Sequence, residues 1–188
     1  MDTTQIVLLV IIAIIVLLIL YVIGMYNTLV RLRNRVEDQW AQIDVQLKRR
    51  ADLVPNLVET VKGYASHEES TLEAVISARN KFQTATTPEA EIEASGELTR
   101  ALSRLFALSE SYPELKANTN FLNLQEELSQ IEEKIAYARQ FYNDTVLTYK
   151  NKLEVFPSNI IAGMFKFEKK PFFEAEEAAK EAPKVSFK

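Results

Sequence analysis

The sequence predicts an all-α protein: a single N-terminal transmembrane helix that continues into an elongated antiparallel four-helix bundle. Three observations carry this reading. Residues Ile6 to Ile23 contain no charge and no helix breaker. Beyond them, apolar residues recur at alternating steps of three and four, the signature of one buried helix face. Four Gly and six Pro among 188 residues are too few for a turn-rich β fold.

The apolar run comes first. As a helix it spans about 27 Å, close to the ~30 Å hydrocarbon core of a bilayer. A lone span in lipid has to be helical, because its backbone groups must be satisfied within the segment. A cleaved leader would need a basic start, a shorter apolar stretch and a small-residue cleavage site. Met1 to Gln5 carry no Lys or Arg, and Gly24-Met25-Tyr26 offers no small-x-small pattern. The run is therefore expected to be a retained anchor over residues 6–25, with residues 1–5 as a short external tail. Tyr21 and Tyr26 suit headgroup depth. Arg31, Arg33 and Arg35 flank the span on one side only, so the bulk of the chain is expected in the cytoplasm of a bacterial inner membrane.

The remaining ~160 residues amount to one domain. Zero Cys removes disulfides, thiolate nucleophiles and Cys-ligated metals. A formal charge of −4 provides no basic field for nucleic acid.

The first cytoplasmic helix is expected over about 26–62, with its seam on Leu29, Val36, Trp40, Ile43, Leu47, Val54, Leu57 and Val61. Gly63 is a suitable residue just past its end. Pro55 lies inside it and should kink it; the competing reading ends the helix near Arg50. Ser66-His67-Glu68-Glu69 fits a capping box, so a second helix should occupy about 67–85, facing inward through Leu72, Val75, Ile76, Arg79 and Phe82. Thr87 and Pro88 read as N-cap and first residue of a third, about 88–112, with Leu98, Leu102, Leu105 and Phe106 inward and Tyr112-Pro113 as its end. The fourth, about 118–155, carries a heptad seam on Phe121, Leu124, Leu128, Ile131, Ile135, Ala138, Tyr142, Thr145, Tyr149 and Phe156. Short turns make neighbours antiparallel. The middle helices are shorter, so helices one and four should pair alone near the bilayer, with a seam that other subunits complete.

In order along the chain stand Tyr26-Asn27-Thr28-Leu29-Val30, Gln46-Leu47-Lys48-Arg49-Arg50-Ala51-Asp52-Leu53-Val54-Pro55-Asn56-Leu57-Val58, Tyr112-Pro113-Glu114-Leu115-Lys116-Ala117-Asn118, Ala138-Arg139-Gln140-Phe141-Tyr142-Asn143 and Phe156-Pro157-Ser158-Asn159. With these stretches the sequence resembles the LemA family over essentially its whole length. The resemblance implies a single-span bacterial membrane protein with a long helical cytoplasmic domain, and kinship with a protein needed for magnetosome membranes. The family has no established enzymatic activity, so the resemblance implies fold and address more than mechanism.

The residues themselves offer no chemistry. A di-iron bundle needs inward Glu residues and Glu-x-x-His repeats, whereas His67 is the sole His and the Glu clusters lie mostly off the seams. A Ser-His-Asp triad has only that His, and no G-x-S-x-G elbow is present. Gly at 24, 63, 96 and 163 cannot build a phosphate loop or a Rossmann turn. Catalytic, cofactor and metal residues are accordingly expected to be none.

Arg33 and Arg50 fall on seam positions, and Gln39, Gln42, Asp44 and Gln46 line the first helix. Buried register-setting pairs with a solvated face are the plain account, and a subunit or partner interface the sharper one. Arg139, level with about Ala41, should meet Glu37, Asp38 or Asp44 in an ion pair. An oligomer or partner interface is expected through residues ~26–45 and ~140–160, on Leu29, Val36, Trp40, Tyr142, Tyr149 and Phe156. Residues 157–188 form an aromatic and Lys-rich segment with a mobile Ala/Glu/Lys-rich tail from Glu174, save a short extended stretch at Val185-Ser186-Phe187. Its Phe165, Lys166, Phe167, Lys169, Lys170, Phe172 and Phe173 join Tyr21, Tyr26, Arg31 and Arg33 as membrane-interface residues, or else the segment folds back to cap the bundle; both readings stay open. The sequence thus describes a membrane-tethered, non-enzymatic scaffold acting through cytoplasmic contacts with an unidentified membrane or cytoplasmic protein. The alternative is a homo-oligomer that shapes or organises lipid.

Overall fold

The computed structural model describes residues 2–173. All regular structure among them is helical: α1 Thr3–Lys62, α2 Glu69–Thr84, α3 Pro88–Ser109, α4 Pro113–Lys116, α5 Thr119–Glu154 and α6 Ser158–Met164. The expectations for residues 174–188 lie outside the described residues.

α1 is helical from the apolar run through Pro55, so it does not end near Arg50. Pro55 has no N–H to give the carbonyl of Ala51, four residues back. That carbonyl is not orphaned, because Arg79 on α2 donates its Nε to it at 3.0 Å. Around this point Leu47, Val54, Leu57 and Val61 are fully buried. Each contributes on the order of 1.5–3 kcal/mol through removal from water, enough to hold a helix across one missing hydrogen bond. Gly63 follows directly, with φ in the ordinary negative range rather than the left-handed one expected of a Gly cap.

The expected capping box at Ser66 does not form. α2 begins two residues later than that box implies, and its N-cap, Glu68, makes no side-chain cap bond. Its carboxylate instead accepts the Tyr112 hydroxyl at 2.9 Å, a tertiary bond that replaces the local one. α3 does open as expected: Thr87 Oγ1 accepts the Ala90 amide at 3.2 Å, and Pro88 stands at the first position. α2 and α3 face each other, with Lys81 paired to Glu97 and, at 3.7 Å, to Glu93. α3 stops at Ser109, short of Tyr112-Pro113, and Pro113 starts the additional turn α4, which buries Leu115 completely. Asn118 caps α5, its Oδ1 accepting the Phe121 amide at 3.0 Å while its amide donates to the Tyr64 hydroxyl at 2.8 Å.

The described chain divides into two compact units, the first from residues 2–39 and 142–170, the second from 40–141 and 171–173. The core of the first gathers Leu29, Val36, Tyr142, Val146, Tyr149, Leu153 and Ile161. The second is packed from Ile43, Leu47, Val54, Val75, Leu98, Leu105, Phe121, Leu128 and Ile135, among others. At the end of α5 the buried seam runs Tyr142, Val146, Tyr149, Leu153, not through Thr145 to Phe156. α5 ends at Glu154, before Phe156, and a helix of 3.6 residues per turn drifts off a strict heptad.

Candidate membrane-interface site

The apolar stretch of α1 has none of its surface buried within the chain. Ile6, Leu9, Ile12, Val16 and Leu20 are each about half exposed, as on a helix with no protein neighbour. This helix is the one among the described residues long and apolar enough to cross a membrane. Just past the apolar stretch Thr28 Oγ1 bonds back to the Gly24 carbonyl at 2.8 Å, and Tyr21 and Tyr26 are partly exposed.

Within the first unit the chain returns to this end of the stretch. α6 buries Ser158, Ile161 and Ala162, and the chain after it lays two rings on Tyr26: Phe165 at 4.8 Å and Phe167 at 5.7 Å between ring centres. The Arg33 guanidinium stands 5.7 Å over the Phe167 ring, whose π-face attracts a cation. Lys169 pairs with Glu154 at 2.7 Å, and this bond holds the Glu154 carboxyl below its usual range. Lys170 reaches Glu37 at 3.4 Å. Lys166 is exposed, with φ of 54° that turns the chain after α6. Arg31 is exposed too, its Nε bonded to the Asn27 carbonyl at 3.2 Å.

The sequence-nominated interface residues therefore separate. Tyr21, Tyr26, Arg31, Arg33, Phe165, Lys166, Phe167, Lys169 and Lys170 belong to the first unit; Phe165 and Phe167 meet Tyr26 just past the apolar stretch, whereas Lys170 pairs with Glu37, about 21 Å of helix beyond Ile23. Phe172 and Phe173 belong to the second. Phe173 is buried there, 6.2 Å from Trp40 and 5.9 Å beneath the Arg139 guanidinium. It is not available to lipid, and Arg139 rests on its ring.

The nominated oligomer residues are also distributed differently. Leu29, Val36, Tyr142 and Tyr149 are buried inside the first unit and Trp40 is half-buried in the second. Phe156 alone among them is fully outside, 75% exposed. Val146, Leu153, Ile161 and Ala162 are buried in the same unit, so this part of the seam is covered within one chain. What sequence reasoning missed is α6 itself: seven residues are too short for a periodic signal.

Arg50 forms the polar centre of the second unit. It is 1% exposed. Its Nη1 donates to Thr99 Oγ1 at 2.9 Å and to Glu132 Oε1 at 2.8 Å, and its Nη2 to the Ser95 carbonyl at 3.1 Å and hydroxyl at 2.7 Å. One side chain thus ties α1 to α3 and α5. Nearby, Asp44, Lys48, Ala51, Asp52, Phe82, Gln83, Ala85 and Glu91 line a cavity of about 470 Å³. Burial and the neighbouring Asp44 charge push the Glu91 carboxyl above its usual range. Among the described residues no group of three or more His, Asp or Glu is arranged to hold a metal ion.

These features define an all-helical protein with one helix able to cross a membrane and an aromatic and cationic cluster just past the apolar stretch of that helix. The chain belongs to the LemA family, whose sequence profile matches residues 39–187. Among its relatives, Protein LemA of Metamycoplasma hominis is 25% identical over 156 residues, covering 82% of this chain and 71% of the relative. Magnetosome protein MamQ 2 of Paramagnetospirillum magneticum is 24% identical over 179 residues, covering 81% of this chain and 66% of the relative. Magnetosome protein MamQ of Magnetospirillum gryphiswaldense is 22% identical with the same coverage. The chain thus spans about two thirds of the magnetosome relatives' length.

Proposed function

We propose that the protein is a single-pass, non-enzymatic scaffold of the bacterial inner membrane. Its N-terminus lies outside and its helical part, an up-down-up-down bundle of α1, α2, α3 and α5, works in the cytoplasm through protein–protein contacts. The observation that carries this is the double use of α1. Its first third is apolar on every side and unburied, while Leu29, Val36, Ile43 and Leu47 further along the same helix are core residues. A core helix of a soluble protein would bury the first third. Membership of a family that includes magnetosome proteins agrees with a membrane address.

Full-length protein carrying an affinity tag, extracted in mild detergent and analysed by mass spectrometry, tests the reading. A stoichiometric protein partner that rebinds after separate purification supports it. A second reading, set beside the first because the chain is similar to magnetosome proteins, is a homo-oligomer that organises lipid. Recovery of the chain alone as a fixed-size assembly that deforms vesicles would replace the first reading by the second.

A further inference from the structure

We propose that α6 and the residues flanking it form a second membrane attachment, an in-plane helix that enters the headgroup layer beside the span. The inference rests on the reading that α1 crosses the bilayer. Within the first unit α6 has two unlike faces. Ser158, Ile161 and Ala162 point inward. On the outside Phe156 is 75%, Met164 67% and Ile160 52% exposed, with Val155 and Phe165 beside them. Ile160 and Met164 are one helical turn apart, so they share a face. Several exposed large apolar side chains within one short segment mark an interaction site.

Its position identifies the occupant. Phe165 touches Tyr26, which lies three residues, or about 4.5 Å of helix, beyond the last apolar residue of the run, Ile23. An element in contact with Tyr26 therefore stands at headgroup depth once α1 is inserted. Apolar side chains on an interfacial helix sink about 5–10 Å, toward the acyl boundary. Lys166 and Arg31, both exposed, lie close to Phe165 and Tyr26 in sequence, where long cationic side chains can extend to lipid phosphates. The residues that enter lipid differ from those that aromatic content alone suggests. Phe167 is occupied by Tyr26 and Arg33, and Phe173 by Trp40 and Arg139.

The chain has no cysteine, so single labels are unambiguous. Full-length Ile160→Cys, Met164→Cys, Asp144→Cys and Ile12→Cys proteins, each carrying an environment-sensitive fluorophore, would be reconstituted in vesicles of equimolar phosphatidylethanolamine and phosphatidylglycerol. Lipids bearing a nitroxide high on the acyl chain then report depth. The Ile160 and Met164 labels should be quenched about twofold more than the Asp144 label, at every protein density, as expected for an interfacial helix. Equal quenching at 144, 160 and 164, with the Ile12 label still strongly quenched, would overturn the proposal and leave the anchor intact. Shielding at 160 and 164 that grows with protein density and ignores the nitroxide would assign the face to a second copy, which also overturns it. An unquenched Ile12 label would bring down the anchor reading and this one with it.

Discussion

Tyr149 shows how burial decides what one side chain can do. It is completely buried, and its hydroxyl has no hydrogen-bond partner. Burial also pushes its pKa above the usual phenol value, so it stays neutral. An unsatisfied buried hydroxyl costs about 1–3 kcal/mol, so Tyr149→Phe should be neutral or stabilising by about 1 kcal/mol. Thermal unfolding of the full-length protein in detergent would read it, and a clear loss of stability would reveal a partner for the hydroxyl. Tyr149→Glu, by contrast, places a charge in that interior and should unfold the first unit, not merely loosen an assembly. Glu91 gives a pH-dependent counterpart. Its raised pKa means the folded chain holds a proton that the unfolded chain, with a value near 4.5, has already released. In the window just above 4.5 the folded state binds more protons, so stability falls as pH rises through it. Glu91→Gln should flatten that decline and raise the melting temperature at neutral pH. An unchanged pH profile would count against the Asp44 and Glu91 juxtaposition.

At the scale of elements, Pro55 and Arg79 act as a pair. The proline withholds a donor from Ala51, and the arginine on α2 supplies one. Pro55→Ala restores the backbone donor and should be tolerated or stabilising, since an interior proline costs ~3 kcal/mol. Arg79→Met alone should destabilise by about 1–3 kcal/mol, because a carbonyl is left unpaired. In the double variant that loss should largely vanish. Additive effects in the cycle would refute the pairing. The pairing also marks where sequence reading stops. The long helices were legible because α1 and α5 repeat their apolar positions over many turns, and Thr87-Pro88 announced α3 because the capping bond is local. The start of α2 was not legible, since Glu68 is engaged by Tyr112, a residue 44 positions away. α4 and α6 are too short to show a period. Of the candidate site, Tyr26 and Arg33 could be placed from the end of the apolar run. The inward fate of Phe173 could not, because it depends on Trp40 and Arg139, which are distant in sequence.

For the molecule as a whole, the proposed topology is the feature to test, and it rests on the charge asymmetry about the apolar run. Arg31, Arg33 and Arg35 follow it and no cation precedes it. A reporter fused after Lys188 should be active only when the reporter is one that works in the cytoplasm. Digestion of the helical part by protease added outside intact cells would reverse the assignment. Arg50 adds a consequence in time. Its carboxylate partner, Glu132, is 82 residues further along the chain. At about 5–20 residues per second of synthesis, Glu132 is made roughly 4–16 s after Arg50. Ser95 and Thr99 come sooner, but still after α1 is finished. On the reading that α1 enters the bilayer as it is made, the newborn protein is for some seconds a tethered helix with bare leucines and valines next to lipid. The unpaired guanidinium in their midst makes it costly for that stretch to follow the span into the membrane. The charge that later ties three helices together is thus one of nine, from Arg31 to Arg50, that should keep the unfinished stretch in water until its partners arrive.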